Sequence, residues 1–149
     1  MFDLIISSHV KPSSKIPINK QATWTLMALR THITDIHPYI TRDGSEIREL
    51  MHPSVQGNQT QSLAEAIVKQ GQRTHLHRHH NSEELYYITR GEGYMTLGEE
   101  QFEVTAGDTI CIPPGTAHCI KNIGTKALHI LCMCSPPYSH ADTELLTRD

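Results

Sequence analysis

From residue 62 onward, apolar and polar positions alternate in runs of five to eight residues, each closed by turn-forming residues. The breaks fall at His80-Asn81-Ser82, Gly91-Glu92-Gly93, Gly98-Glu99, Gly107-Asp108, Pro113-Pro114-Gly115 and Asn122-Ile123-Gly124. Period-two alternation between evenly spaced turns is the mark of half-buried strands, and no long window carries a helical period. An all-β sandwich or barrel is the expected architecture. Ser62–Val68 is helix-favouring in composition, yet it is only seven residues long and sits among strands, so it too is expected to be a strand. Upstream, residues 24–31, 38–41 and 46–51 read as β-rich segments, with Asp43-Gly44 as a hairpin turn between the last two. The polar stretch 53–61 then leads into the barrel.

The alternation ends at Ser135-Pro136-Pro137-Tyr138, because proline cannot donate to a ladder. The tail is therefore expected to cross an end of the barrel or a subunit boundary. The serine- and proline-containing first residues read as an arm. The organisation is thus an arm over 1–22, N-terminal strands over 23–60 that pack on the barrel or on a dimer partner, and a barrel with its C-terminal tail over 61–149.

Composition narrows the classes. Thirteen Lys plus Arg against 16 Asp plus Glu give a net charge of −3, which disfavours nucleic acid as a partner. No apolar run approaches the ~20 residues that cross a bilayer, and the Phe2 to Ile6 run carries Asp3 where a signal peptide needs a basic flank. A cytoplasmic protein without membrane contact is expected. The four cysteines form no CxxC pair, so reduced, packed thiols are expected rather than disulfides.

Histidine is the anomaly, at 11 residues, of which His75, His77, His79 and His80 fall within six positions. On a strand, His75, His77 and His79 share one face, so imidazoles two apart can converge on one ion. Glu84 stands at the start of the following strand, and His118 starts another after the Pro113-Pro114-Gly115-Thr116 turn. Three imidazoles and a carboxylate suit one divalent transition ion, with Mn or Fe favoured and Ni, Co or Zn possible, and four protein ligands leave two positions of an octahedron open.

Two stretches carry a family pattern. Gly71, His77, His79, Glu84 and Gly91 are spaced as in the first cupin motif, and Gly107, Pro113, Gly115, His118 and Asn122 as in the second. The chain therefore resembles a small single-domain cupin. The resemblance implies a jelly-roll β-barrel of two packed antiparallel sheets, a metal held by His77, His79, Glu84 and His118, and a homodimer formed through N-terminal strands. The motif glycines suit turns with positive φ, and Asn122 suits a turn cap.

Cupins share a scaffold but not a reaction, so activity must be read from the site. Three neutral imidazoles and one carboxylate leave a divalent ion with about one net positive charge, which favours a chelating anionic small molecule. A metalloenzyme of dioxygenase or decarboxylase type is the leading expectation. A redox-neutral sugar or sugar-phosphate isomerase or epimerase and a non-catalytic binding or sensor protein are the alternatives. Glu84, His75 and Tyr86 are the candidate catalytic groups. Arg30, Arg48, Arg73 and Arg90 are candidates for the far end of an anionic substrate, although arginine is more often solvated. Tyr138 and His140 are candidates for closing the barrel mouth, and Cys132 and Cys134 are expected to pack beside Ile130 as ordinary barrel interior.

Overall fold

A computed structural model describes residues 28–146. The arm, Trp24–Met27 of the first β-rich segment and the last three residues lie outside the described residues. Among the described residues eleven strands form two antiparallel sheets. In chain order they are β1 (Tyr39–Ile40), β2 (Glu46–Met51), β3 (Ser62–Val68), β4 (His77–His79), β5 (Glu83–Arg90), β6 (Glu92–Leu97), β7 (Glu100–Thr105), β8 (Thr109–Ile112), β9 (His118–Asn122), β10 (Leu128–Ser135) and β11 (Thr143–Leu145). One sheet runs β1-β2-β3-β10-β5-β8 and the other β11-β4-β9-β6-β7. From β3 onward the chain crosses between the two layers at every step except the β6–β7 hairpin, as in a jelly roll.

The core lies between the sheets. Ile88, Met95, Ile112, Ile120, Leu128 and Ile130 are fully buried there, drawn from both layers. On β10 the alternation is complete: Leu128, Ile130, Cys132 and Cys134 are buried and the residues between them are not. Gly91 shows why one turn needs glycine. Its φ is 92°, and an added Cβ would lie 3.0 Å from both the Ala127 carbonyl oxygen and the Leu128 Cα, so even alanine would meet rigid backbone. Asn122 pins the neighbouring turn, donating from Nδ2 to the carbonyls of Val68 and Lys126 and accepting from the Gly124 N–H through Oδ1.

Three local expectations change. Residues 28–31 join no sheet: the Thr31 hydroxyl instead donates to the Leu50 carbonyl, so a side chain replaces the ladder. The polar stretch contains a single helical turn, α1 (Pro53–Gln56), with His52 as N-cap, Pro53 opening the turn and Gly57 closing it at φ 84°. His52 also ties α1 to the tail, its Nε2 lying 3.0 Å from the Tyr138 carbonyl. The tail, finally, expected to cross a barrel end or a subunit boundary, also adds an edge strand: it returns as β11 and pairs with β4, Thr143 opposite His79 and Leu145 opposite His77. The Asp43-Gly44 hairpin forms, Gly44 having φ 85° and β1 pairing with β2 through Tyr39–Ile47. These N-terminal strands extend the six-stranded sheet and line the space between the layers.

Candidate metal centre

β4 opposes β9 at a single register pair, His77 with His118, and Glu84 projects from β5 in the facing sheet. The two layers thereby bring His77, His79, Glu84 and His118 together, with one ligand atom of each within 4.8 Å of all the others. All four are buried, at 4, 3, 5 and 0% exposure. The cluster is able to hold one metal ion.

Each imidazole is held by the nitrogen that faces away from the centre. His77 Nδ1 lies 2.9 Å from the His75 carbonyl, and His118 Nδ1 lies 3.0 Å from the Thr116 carbonyl, two residues back in each case. A carbonyl only accepts, so both Nδ1 atoms carry the proton and leave Nε2 with its lone pair free. His79 Nδ1 lies 3.0 Å from Thr143 Oγ1 on β11, and that hydroxyl in turn donates to the Ser139 carbonyl. Its only proton being committed, Oγ1 accepts from His79 and fixes the same tautomer. Outer partners of this kind are what orient metal-binding histidines.

The inner geometry fits an ion. Ligands about 2.1 Å from a metal stand ~3.0 Å apart in adjacent positions, and Glu84 Oε2 is 3.2 Å from both His79 Nε2 and His118 Nε2. His118 Nε2 is buried and makes no hydrogen bond. Leaving such an atom unpaired costs roughly 1–3 kcal/mol, a cost that coordination removes. Burial, with the neighbouring His118, pushes the His77 imidazole down to about 4, so it is neutral near pH 7. Burial alone would raise the Glu84 carboxyl, but the imidazoles of His118 and His79, whose Nε2 atoms lie 3.2 Å from Oε2 and act on it when the rings carry a second proton, outweigh it and hold it at about 2. Both groups are in the state a metal requires.

The centre opens on an inner chamber with a volume of about 50 Å³ for the centres of water-sized molecules. At roughly 10–15 Å³ per water, that is room for a few waters or one small molecule. Tyr86 lines it and stands edge-on to His118, ring centroids 5.9 Å apart. Burial raises its hydroxyl well above the ordinary value and keeps it protonated. Tyr138, brought in by the tail, stands edge-on to His79 at 5.8 Å and forms part of the wall.

Other expectations land elsewhere. The strand begins only at His77, so the two-residue alternation does not reach His75. Its N–H is held by the Asp43 carbonyl and its ring is exposed outside the chamber, leaving its carbonyl as the contribution to the centre. None of the four arginines lines the chamber. Arg30, Arg73 and Arg90 are exposed, and Arg48 pairs with Glu65 at 3.2 Å on the outer face. His140 is exposed. Cys132 and Cys134 do lie beside Ile130, but they also border the chamber, and the Cys134 thiol donates to Glu84 Oε1 at 3.5 Å. All four cysteines are free thiols.

Sequence reading missed Thr143, which a tail strand of three residues brings to His79, and it missed Tyr39, Asp43 and Glu49, which β1, β2 and their hairpin bring to the chamber. The inward parity of Ile47 and Glu49 was the available signal for the last. Among the described residues no helix is long and apolar enough to cross a membrane.

Comparison with known proteins agrees with this architecture. Residues 64–134 match the family model described as the cupin domain. An uncharacterised protein of Methanocaldococcus jannaschii is 57% identical over 122 residues, which are 82% of this chain and 98% of that protein. Among solved structures, a predicted oxalate decarboxylase from Thermotoga maritima superposes with a TM-score of 0.64 at 25% identity, covering 74% of this chain and 99% of its own. The Lactobacillus farciminis oxalate decarboxylase formate complex superposes with a TM-score of 0.68 at 26% identity over 77% of this chain, which spans 35% of that longer protein. With both motifs filled, the two sheets in place and the four side chains gathered between them, the chain belongs to the cupin family.

Proposed function

We propose that the protein is a metal-dependent enzyme that takes a small chelating carboxylate beside His77, His79, Glu84 and His118, with decarboxylation as its reaction class. The observation that carries this reading is the convergence of three tautomer-fixed Nε2 atoms and one carboxylate oxygen on a chamber sized for a small molecule. The likeness to oxalate decarboxylases, at 25 and 26% identity, supports this reaction class. A divalent ion there, Mn or Fe before the others, supplies Lewis-acid polarisation of the substrate carboxylate and, for those two metals, redox access to dioxygen.

The chain's own residues supply the rest. Ile120 and Ile130 in the wall restrict water beside the four ligands. Tyr86 presents a protonated hydroxyl on the chamber face two residues from Glu84, placed to donate to a developing anion when carbon dioxide leaves. The outer face of the six-stranded sheet carries half-buried Leu63, Met133 and Leu85 in one row and Leu131 in the next, and we propose a homodimer across it. Sedimentation at twice 16.8 kDa is the expected result, and a monomer at micromolar concentration removes that part of the reading.

The test of the reaction is turnover by protein loaded with Mn or Fe against a panel of small hydroxy-, keto- and dicarboxylic acids, following carbon dioxide and oxygen together. Carbon dioxide release without net oxygen uptake is expected. Stoichiometric oxygen uptake would transfer the reading to a dioxygenase, and inertness of the fully loaded protein across the panel would reduce it to a binding protein.

A further inference from the structure

The chamber has a second polar end, opposite the metal centre and built from β1 and β2. The register of the six-stranded sheet fixes its position. Glu49 pairs with Ala64, Ala64 with Cys132 and Cys132 with Tyr86, so the four share one row on the inner face. The next row runs from Ser62 through Cys134 to Glu84. Glu49 and Glu84 thus rise from the same floor three strands and one row apart, ~16 Å between backbones at the usual strand spacing and rise. Between them the floor is made of the small side chains of Ser62, Ala64, Cys132 and Cys134, which leaves room for a ligand.

Glu49 has one free oxygen. Tyr39 donates its hydroxyl to Oε2 at 3.2 Å, whereas Oε1 is buried and has no hydrogen-bond partner. The other acid of this wall, Asp43, is engaged: its Oδ1 accepts from the hydroxyl of Thr41 and from the N–H and hydroxyl of Ser45. Among the described residues no Lys or Arg lines the chamber. A second carboxylate arriving at this end would face acceptors with no cation to compensate, while a hydroxyl or ammonium group would satisfy Oε1.

Resting on the reading of the opposite end as a metal and carboxylate site, we infer that Glu49 determines specificity, accepting a hydrogen bond from the substrate. The substrate class is a small hydroxy- or amino-carboxylate, with its carboxylate at the metal end and its donor on Glu49. Dicarboxylates of the same length are excluded.

The full-length protein loaded with Co or Mn, its metal content measured first, is titrated by calorimetry at pH 7.5. The ligands are matched sets of three to five carbons: ω-hydroxy acids, ω-amino acids and dicarboxylates. A hydrogen bond to a charged acceptor is worth roughly 1.5–3 kcal/mol, so at least one length of hydroxy or amino acid should bind tenfold or more tighter than its dicarboxylate. Glu49→Gln, whose amide can donate, should erase or invert that preference, and Glu49→Leu should erase it, both at unchanged metal content. Equal binding of the sets by the wild type, an unaltered preference in both variants, or no binding of any ligand to metal-loaded protein would each overturn the inference while leaving the metal centre standing. Failure to take up metal would instead remove the reading on which it rests.

Discussion

The two ends of the chamber are built on opposite plans. At the metal end every side chain is held twice, once by its strand and once by an outer partner: a carbonyl for His77 and His118, a hydroxyl for His79, and a thiol for Glu84. At the far end Tyr39 and Glu49 hold only each other, and Oε1 of Glu49 is left without a partner. The first arrangement fixes one geometry for one ion, whereas the second leaves an acceptor for a ligand to complete. Chemistry common to a scaffold and selectivity particular to one protein are thereby separated in space.

The contrast can be broken most severely at the metal end. His118→Ala removes a fully buried ligand and should abolish stoichiometric metal binding, read by elemental analysis of protein refilled with Mn; retained occupancy would refute the four-ligand set. Next in size is the outer partner. Thr143→Val keeps the shape of β11 but removes the oxygen that accepts from His79, and should weaken metal binding about 10–100-fold, measured by competition with a chelator; Thr143→Ser should restore most of it.

Acid should act on the same end in the metal-free protein. The Glu84 carboxyl is lower in the fold than in the unfolded chain, so its contribution is present above its ordinary value of 4.5 and lost as pH falls towards about 2. His77 is also depressed, to about 4 from 6.5, so the unfolded chain takes up its proton first and stability declines over that interval as pH falls. Thermal melts should therefore be level above pH 7 and fall progressively below 6.5. His77→Gln should flatten the upper part of that decline, and an unchanged slope would show that this imidazole titrates normally.

The smallest effect sharpens the other side. Arg30→Ala, Arg73→Ala and Arg90→Ala lie away from the chamber and should leave carboxylate affinity of the metal-loaded protein within about twofold, because exposed charges act weakly through screened solvent. A larger loss in any of them would place a cation at the far end and undo the contrast.

How much of this was legible in the sequence follows from how each residue is positioned. His77, His79 and His118 are set by local rules, two by strand alternation and one by a proline-glycine turn, so spacing alone located them. His75 broke the same rule because its backbone bonds to the Asp43 carbonyl of the hairpin and not to a strand, and alternation has meaning only inside a ladder. Glu49 was harder: it shares the inward parity of Ile47, but that parity aims it into the chamber only because β2 pairs with β3, and a segment's own alternation does not say which strand it joins. Thr143 depends on a chain reversal after two prolines, which no local pattern encodes. The barrel was legible from its turns, while the part played by β1 and β2 in the chamber rests on pairings between distant strands.

The pairing of β11 with β4 also sets an order of events during synthesis. His77, His79, Glu84 and His118 all leave the ribosome before Thr143, so the nascent chain displays its metal-binding side chains while the hydroxyl that orients His79 is still missing. An ion taken up by those four side chains earlier would be held less tightly, so the docking of β11 on β4 would be the step that closes the site around it.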